Sequence, residues 1–196
     1  MFRYIDPPKH GGRLHPDFQL LDAAMDGDFE SAVRAIAAGA DPNAVDIDDA
    51  TPLYHALTQG HLPLAHFLVS SGADVNARFG KRNQTLLHWA AENGSYGVCD
   101  FLLQYKSNIN AQRPDGATPL ILAARGGHEY LVRLLLKHDA YLSPKTSRHV
   151  TARSAAAKNQ HSSIVKLIDE AAVTRPGILK DADAAFQPKS GERFLF

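Results

Sequence analysis

Histidine has the widest chemical scope of the residue types in this sequence, because imidazole can bind a metal ion or act as a general base near neutral pH. The chain has ten histidines in 196 residues. Four of them, His55, His66, His138 and His161, lie at scattered positions along the chain. Their separations are not those of metal ligands, and the sequence has no His-Glu-x-x-His run, Cys-x-x-Cys pair or glycine-rich phosphate loop. The pattern therefore predicts neither a metal site nor a cofactor.

The possible nucleophiles are isolated as well. Cys99 is the single cysteine, so it cannot form an intramolecular disulfide, as suits a reducing compartment. It lies in an apolar helical pattern, where we expect a small buried hydrophobic side chain and not a reactive thiolate. Ser154, Ser162 and Ser163 have no recognisable His and Asp partners. We therefore expect that the chain is not an enzyme.

Charge and hydropathy exclude some classes of partner. The 21 Lys and Arg residues balance 21 Asp and Glu residues, so the net charge of zero argues against a nucleic acid or an anionic membrane surface. The sequence has no apolar run of 18 residues, so no membrane span is expected. The first residues lack the apolar core of a secretory signal, which favours a cytoplasmic location.

The elements that must position these side chains follow an internal period of about 33 residues. Thr-Pro-Leu occurs at residues 51–53 and 118–120, and Thr-Leu-Leu-His lies between them at residues 85–88, at spacings of 34 and 33. The phrase Gly-Ala-Asp-x-Asn-Ala, at residues 39–44 and 72–77, keeps the same period. A fixed period of this length indicates a solenoid, in which each unit buries its apolar face against the next.

Together these phrases resemble the ankyrin repeat, whose pattern is Thr-Pro-Leu-His-x-Ala-Ala, Gly-His, a leucine-rich helix and Gly-Ala-Asp-x-Asn. The resemblance covers residues 18–172. It implies an all-α ankyrin-repeat solenoid of helix–turn–helix units with short β-hairpin-like fingers, whose weaker first and last repeats are caps. The repeats are expected near residues 18–50, 51–84, 85–117, 118–150 and 151–172. Residues 1–17 are then an N-terminal extension and residues 173–196 a C-terminal tail, whose apolar end we expect to dock on the repeats or on a partner.

Several residues have structural roles under this interpretation. Thr51 and Thr118 should cap the first helices of their repeats, with proline at the first helical position. The glycines expected to end first helices in a left-handed conformation are Gly60, Gly94 and Gly127. The histidines that the repeat pattern itself favours, and that should hydrogen-bond within and between repeats, are His61, His88 and His128.

The resemblance implies that the chain binds another protein, as an adaptor or an inhibitor, through the groove that finger tips and first helices form. No nucleic acid, membrane or small-molecule substrate is expected. The candidate contacts are Ile47, Asp48, Tyr54, Thr58, Gln59, Phe79, Lys81, Arg82, Gln84, Trp89, Glu92, Asn93, Asp115, Arg125, Arg148 and Lys158. The alternative is a host-directed effector, or an enzyme-linked function that resides in the C-terminal tail.

Two features of the groove allow more than one interpretation. The finger at residues 78–84 is one residue longer than its neighbours, because Asn76 and Thr85 are nine residues apart where eight is usual. This basic finger, with an exposed Phe79, is either a contact site or a tolerated surface insertion. Trp89 occupies the free position of the repeat pattern, where it is either a binding hot spot or a residue packed between repeats.

Charge is distributed unevenly along the predicted solenoid. Residues 17–50 contain nine acids and one base, for a net charge of −8, whereas residues 78–158 contain twelve bases and five acids, for a net charge of +7. Such a field would steer a partner and reject wrong ones. The alternative is a chance composition of the surface.

Overall fold

The computed structural model describes residues 15–175 and shows five helix–turn–helix repeats in succession. The helices are α1 (Pro16–Asp26) and α2 (Phe29–Ala37) in the first repeat, α3 (Pro52–Gln59) and α4 (Leu62–Ser70) in the second, α5 (Leu86–Asn93) and α6 (Tyr96–Gln104) in the third, α7 (Pro119–Gly126) and α8 (Glu129–Lys137) in the fourth, and α9 (Ala152–Lys158) and α10 (Ser162–Thr174) in the fifth. This architecture confirms the expected all-α solenoid. Residues 1–14, and the apolar end of the tail, lie outside the described residues.

The first helices begin as the repeat pattern predicts. The side-chain oxygen of Thr51 accepts a hydrogen bond from the N–H of Tyr54 at 3.2 Å, and that of Thr118 accepts one from the N–H of Ile121 at 3.4 Å. Proline follows each of these two threonines, at a position where no intrahelical donor is lost. Each cap satisfies a backbone donor that the helix itself cannot pair.

The first helices of the first four repeats end on glycine, and at three of these glycines a histidine of the next repeat lies against the glycine. Gly27, which ends α1, has a φ of 75°, and a Cβ built on it would lie 2.6 Å from the ring of His61. Glycine is therefore required both by the left-handed backbone and by the approach of the ring. The same relationship joins Gly94 to His128 and Gly127 to His161.

Each ring also donates a hydrogen bond to a carbonyl oxygen of the preceding repeat: His61 to Met25 (3.3 Å), His128 to Glu92 (3.2 Å) and His161 to Arg125 (3.2 Å).

The seam between the second and third repeats differs from the other three seams. Ser95 stands where the others have histidine, and no atom lies within 4 Å of a Cβ built on Gly60. At this seam alone, within residues 15–175, no histidine ring lies against the glycine that ends the first helix.

The apolar side chains form one continuous core between the two helix layers. Leu53, Leu87, Leu120 and Leu135 are each at most 1% exposed and belong to a single cluster that extends through all five repeats. No single repeat can cover its own apolar face, so the stack folds as a unit. No helix within residues 15–175 is long and apolar enough to cross a membrane.

Candidate functional site

His88 is a structural residue. Its ring is fully buried, its Nδ1 accepts from the N–H of Thr85 at 3.2 Å, and its Nε2–H donates to the carbonyl of Ala117 at 3.1 Å. Burial lowers the pKa of His88 to about 4, and the nearby guanidinium of Arg113 acts in the same direction, although the bond to Ala117 opposes the shift. The imidazole is therefore neutral near pH 7, which confirms the hydrogen-bonding role expected from the repeat pattern.

Cys99 is buried and unreactive. Its side chain is fully enclosed in the core, and burial, together with the charge of Asp100, raises the pKa of the thiol to about 12. A thiol with such a pKa provides almost no thiolate near neutral pH. Among residues 15–175, no group of three or more His, Cys, Asp or Glu side chains is arranged to hold a metal ion.

Three aromatic side chains meet where the second and third repeats join, and we call Tyr54, Phe79 and Trp89 the aromatic cluster. The ring centroids of Tyr54 and Phe79 are 4.5 Å apart, and those of Tyr54 and Trp89 are 6.1 Å apart. All three side chains are partly buried. Phe79 was expected to be exposed, and that was wrong, because the ring packs against Tyr54. Trp89 both packs on a neighbouring repeat and retains exposed surface.

The pKa of Tyr54 reflects this position. Burial is the main cause that raises it, and the carboxylates of Asp46 and Asp48 add to the effect. These two acids belong to the finger that precedes α3, where Ile47 is 75% exposed. The aromatic cluster thus has an acidic finger on one side.

The lengthened finger is held in place on both sides. Its two strands, β1 (Arg78–Phe79) and β2 (Gln84–Thr85), pair antiparallel, with Arg78 opposite Thr85. The N–H of Gly80 donates to the carbonyl of Asp48 at 3.0 Å, which ties the finger to the one before it. The guanidinium of Arg78 donates to the carbonyl of Gln112 at 3.0 Å, which ties it to the one after. Lys81 and Arg82 lie exposed at its tip.

Beside the finger, three arginines surround one carboxylate, and we call Arg82, Glu92, Arg113 and Arg125 the Glu92 cluster. The nearest nitrogen–oxygen distances to Glu92 are 3.0 Å from Arg82, 3.4 Å from Arg113 and 3.1 Å from Arg125. The arginines come from three segments: the long finger, the next finger and α7. By the repeat bounds given above, Arg82 lies in the second repeat, Glu92 and Arg113 lie in the third and Arg125 lies in the fourth, so the cluster joins three repeats.

Arg113 is the member of this cluster that the sequence-based prediction missed. Its side chain is only 6% exposed, and it also donates to Gln84 Oε1 at 3.2 Å and pairs with Asp115 at 3.2 Å. Burial pushes the pKa of Asp115 upward, but the N–H of Ala117 and the charge of Arg113 outweigh this effect and hold the pKa below its usual value. Nothing in the repeat pattern marks Arg113, because its importance arises from contacts with other repeats.

Gln84 was expected at the partner-binding surface, and the structure corrects this. The side chain is only 9% exposed, and its Oε1 accepts from buried Arg113. The residue before a capping threonine points inward in the neighbouring fingers too, where Ala50 and Ala117 are buried. Gln84 therefore supports Arg113 and is not available for direct contact.

The remaining candidates are dispersed along the groove. Asp48 and Gln59 are exposed, whereas the hydroxyl of Thr58 is used in a hydrogen bond to the carbonyl of Tyr54 at 2.8 Å. The amide of exposed Asn93 donates to the carbonyl of Trp89 at 2.8 Å. Arg148 and Lys158 are also exposed, and the N–H of Ser147, beside Arg148, donates to the carbonyl of Asp115 at 2.8 Å. The structure thus joins Arg82, Arg125 and, through Arg113, Asp115 to Glu92. It groups Tyr54, Phe79 and Trp89 in the aromatic cluster, beside the finger that contains Asp48.

Comparison with known proteins identifies the repeat. A family model described as "Ankyrin repeats (3 copies)" matches residues 20–113 and again residues 106–175. The chain is 33% identical over 123 residues to the mouse RelA-associated inhibitor, which covers 61% of this chain and 15% of that protein. It is 32% identical over 118 residues to human Rabankyrin-5, which covers 54% of this chain and 10% of that protein.

A plant protein is also similar. The E3 ubiquitin-protein ligase XBAT33 of Arabidopsis thaliana is 32% identical over 165 residues, which is 79% of this chain and 31% of the ligase. The chain therefore spans less than a third of the length of each of these three relatives.

Proposed function

Because this chain belongs to the ankyrin-repeat family, whose repeats generally mediate protein–protein interaction, we propose that it is a non-catalytic module that holds a partner protein in the groove formed by its fingers and first helices. The contact is centred on the second to fourth repeats. The observation that carries this proposal is that the aromatic cluster and the Glu92 cluster adjoin on one helix.

Trp89 and Glu92 are three residues apart in α5, so their side chains lie on the same face of the helix. Trp89 belongs to the aromatic cluster and Glu92 to the charged one, so the two clusters form one continuous surface. Partly buried aromatic side chains next to arginines are the composition that carries most binding energy at protein interfaces. The rigid repeats beneath hold this surface in shape, which limits the entropy lost on binding.

The charge distribution supports a directional contact. The exposed finger before α3 is acidic at Asp48 and Asp49, whereas the long finger is basic at Lys81 and Arg82. A partner must therefore present complementary charges in one order along the groove. Such complementarity raises the association rate and rejects wrong partners more than it adds affinity.

The biological role that follows is that of an adaptor or an inhibitor, which acts by occupying a surface of its partner. One relative in the comparison is named for inhibition, the mouse RelA-associated inhibitor. The similarity to that protein is confined to a small part of its length, so the partner proposed here is a protein of unspecified identity.

The experiment that tests the groove is affinity capture with the full chain, followed by mass spectrometry, with charge-reversed variants. Lys81→Glu with Arg82→Glu should leave the melting temperature nearly unchanged and deplete the captured partner. Arg133→Glu with Lys137→Glu is the matched control, because both residues are exposed on α8, outside the proposed contact. Equal capture by the two double variants would remove the long finger from the site.

A further inference from the structure

The Glu92 cluster contains more positive charge than its own carboxylates neutralise. Three guanidiniums, from Arg82, Arg113 and Arg125, face only Glu92 and, beside Arg113, Asp115. Lys81 lies at the same finger tip without an ion pair among the described residues. An excess of fixed positive charge on a partly desolvated surface attracts an incoming anion.

The arginines of the cluster differ in what they can still bind. Arg113 is buried, and all its guanidinium nitrogens donate to Gln84, Glu92 or Asp115. The side chains of Arg82 and Arg125 are 64% and 46% exposed, and within residues 15–175 each donates only to Glu92. A guanidinium has five N–H donors, so both arginines retain donors for a second acceptor.

We propose that Arg82 and Arg125 are a receptor for carboxylate side chains of the partner, and that Glu92 occupies the place of a partner carboxylate in the free protein. This inference rests on the proposed function and specifies its partner: an acidic protein segment that also presents an apolar side chain to the aromatic cluster. Glu92 holds the two guanidiniums close together before the partner arrives, since it bonds to both.

The geometry of α5 explains why the partner segment should also present an apolar side chain. Trp89 lies on the same helical face as Glu92, and Tyr54 packs against Trp89 from the preceding repeat. A segment whose carboxylates reach Arg82 and Arg125 therefore passes directly beside these rings. Its neighbouring side chain gains most from being aliphatic or aromatic, because it removes apolar surface from water there.

A protein acid fits this surface better than a nucleic acid. Beyond the aromatic cluster lie Asp46, Asp48 and Asp49, which would repel a phosphate backbone that continued along the groove. Within the cluster, Glu92 and Asp115 interrupt the positive charge. A protein segment avoids both penalties because its charge can be confined to the few residues next to the arginines.

The role assigned to Glu92 makes an unusual prediction. Its carboxylate occupies some of the N–H donors of the two arginines, and its negative charge repels a partner carboxylate at the remaining donors, so removing this charge should strengthen binding. Glu92→Gln retains an oxygen that can accept from the arginines but releases their charge. Arg82→Gln with Arg125→Gln removes the receptor while leaving buried Arg113 and its partners in place.

The test is selection of a random linear peptide library against the full chain, followed by fluorescence anisotropy of the enriched peptides. We expect enrichment of peptides with Asp or Glu next to an aromatic or aliphatic residue. Their affinity should fall about tenfold in the double arginine variant and rise several-fold in Glu92→Gln, in line with exposed ion pairs. Replacing their acids by amides should abolish the difference between wild type and variants.

The matched controls use an ion pair of the same composition on α8. Arg133 and Glu129 are 2.7 Å apart on a helix outside the groove. Arg133→Gln and Glu129→Gln should therefore leave the affinity unchanged. Thermal unfolding of every variant separates a loss of binding from a loss of folding.

Each other outcome has a defined meaning. If the enriched peptides bind through Trp89 but lack acids, or bind the arginine variants as tightly as the wild type, the proposed carboxylate receptor is wrong. The proposal that the groove binds a partner is then retained. If neither Trp89→Ala nor Ile47→Asp changes the affinity of any peptide, the groove is not the binding site. Weaker binding by Glu92→Gln contradicts the proposal that Glu92 occupies the place of a partner carboxylate. Arginine-dependent binding of a DNA duplex, with no acidic peptide enriched, overturns the choice of a protein partner.

Discussion

The imidazole of His128 lies directly on Gly94, and its Nε2–H donates to the carbonyl of Glu92 at 3.2 Å. One side chain thus fills the space over a helix end and satisfies a backbone acceptor of the preceding repeat. The contact recurs at two other seams, whereas at the fourth seam Ser95 stands in place of the histidine and no atom lies within 4 Å of a Cβ built on Gly60. The seam between the second and third repeats therefore lacks a contact that the other three seams have.

Ser95→His should stabilise the chain, because the ring can occupy the space beside Gly60 as His128 does beside Gly94. Ser95 makes no capping bond through its side chain, so little is lost. We expect a gain of about 1 kcal/mol in the free energy of unfolding, measured by urea denaturation followed by circular dichroism. The reciprocal change, His128→Ser, should cost a similar amount. If neither substitution changes the free energy of unfolding, the histidine contact does not couple the repeats.

Ser107→Ala should also stabilise the protein. The hydroxyl of Ser107 is buried and has no hydrogen-bond partner in the structure, whereas the equivalent positions of other repeats are Ala40, Ala73 and Ala140. An unsatisfied buried hydroxyl costs about 1–3 kcal/mol, so its removal should raise the melting temperature. Ser71→Ala is the control, because that hydroxyl donates to the carbonyl of Phe67 at 2.9 Å. Its removal should bring no comparable gain.

Acid should destabilise the fold through His88. Its pKa is about 4 in the folded chain and near 6.5 when unfolded. As the pH falls from about 6.5 to 4, the unfolded chain binds a proton that the folded chain does not, so stability decreases by up to about 3 kcal/mol. Urea midpoints measured across this range should fall less steeply for His88→Gln than for the wild type. An equally steep fall in both proteins would contradict this role of His88.

Leu135→Ala should be the most damaging of these substitutions. Leu135 belongs to α8 in the fourth repeat, and its side chain is fully buried in the core. Loss of its apolar contacts, together with the cavity left behind, should cost about 2–5 kcal/mol of unfolding free energy. Tyr130→Ala on the same helix is the control, since Tyr130 is 81% exposed. A loss from Leu135→Ala no larger than that from Tyr130→Ala would contradict the assigned packing.

Much of the fold could be predicted from sequence because its signals are local and repeated. Thr51 and Thr118 cap helices through bonds to residues three positions on, and Gly60 and Gly94 end helices through their own backbone freedom. Such features depend on short stretches of chain, so each copy of the motif supports the others.

The arrangement of the site was much less predictable. The sequence allowed us to propose Arg82, Glu92 and Arg125 individually as groove residues. It did not show that both arginines bind the carboxylate of Glu92. Gln84 was placed on the surface because the pattern does not state which way a finger residue points. Its burial depends on Arg113, which lies in the next finger.

The sequence alone determined that this chain is a stack of ankyrin-type repeats with a groove. A period of 33 residues and its capping residues allow few other ways to bury the apolar faces. Only the tertiary structure decided which groove side chains act together. Contacts such as those of Arg113 with Gln84 and of Arg125 with Glu92 join different repeats, and they depend on the offset between stacked units and on side-chain direction. Neither quantity is contained in the motif of a single repeat.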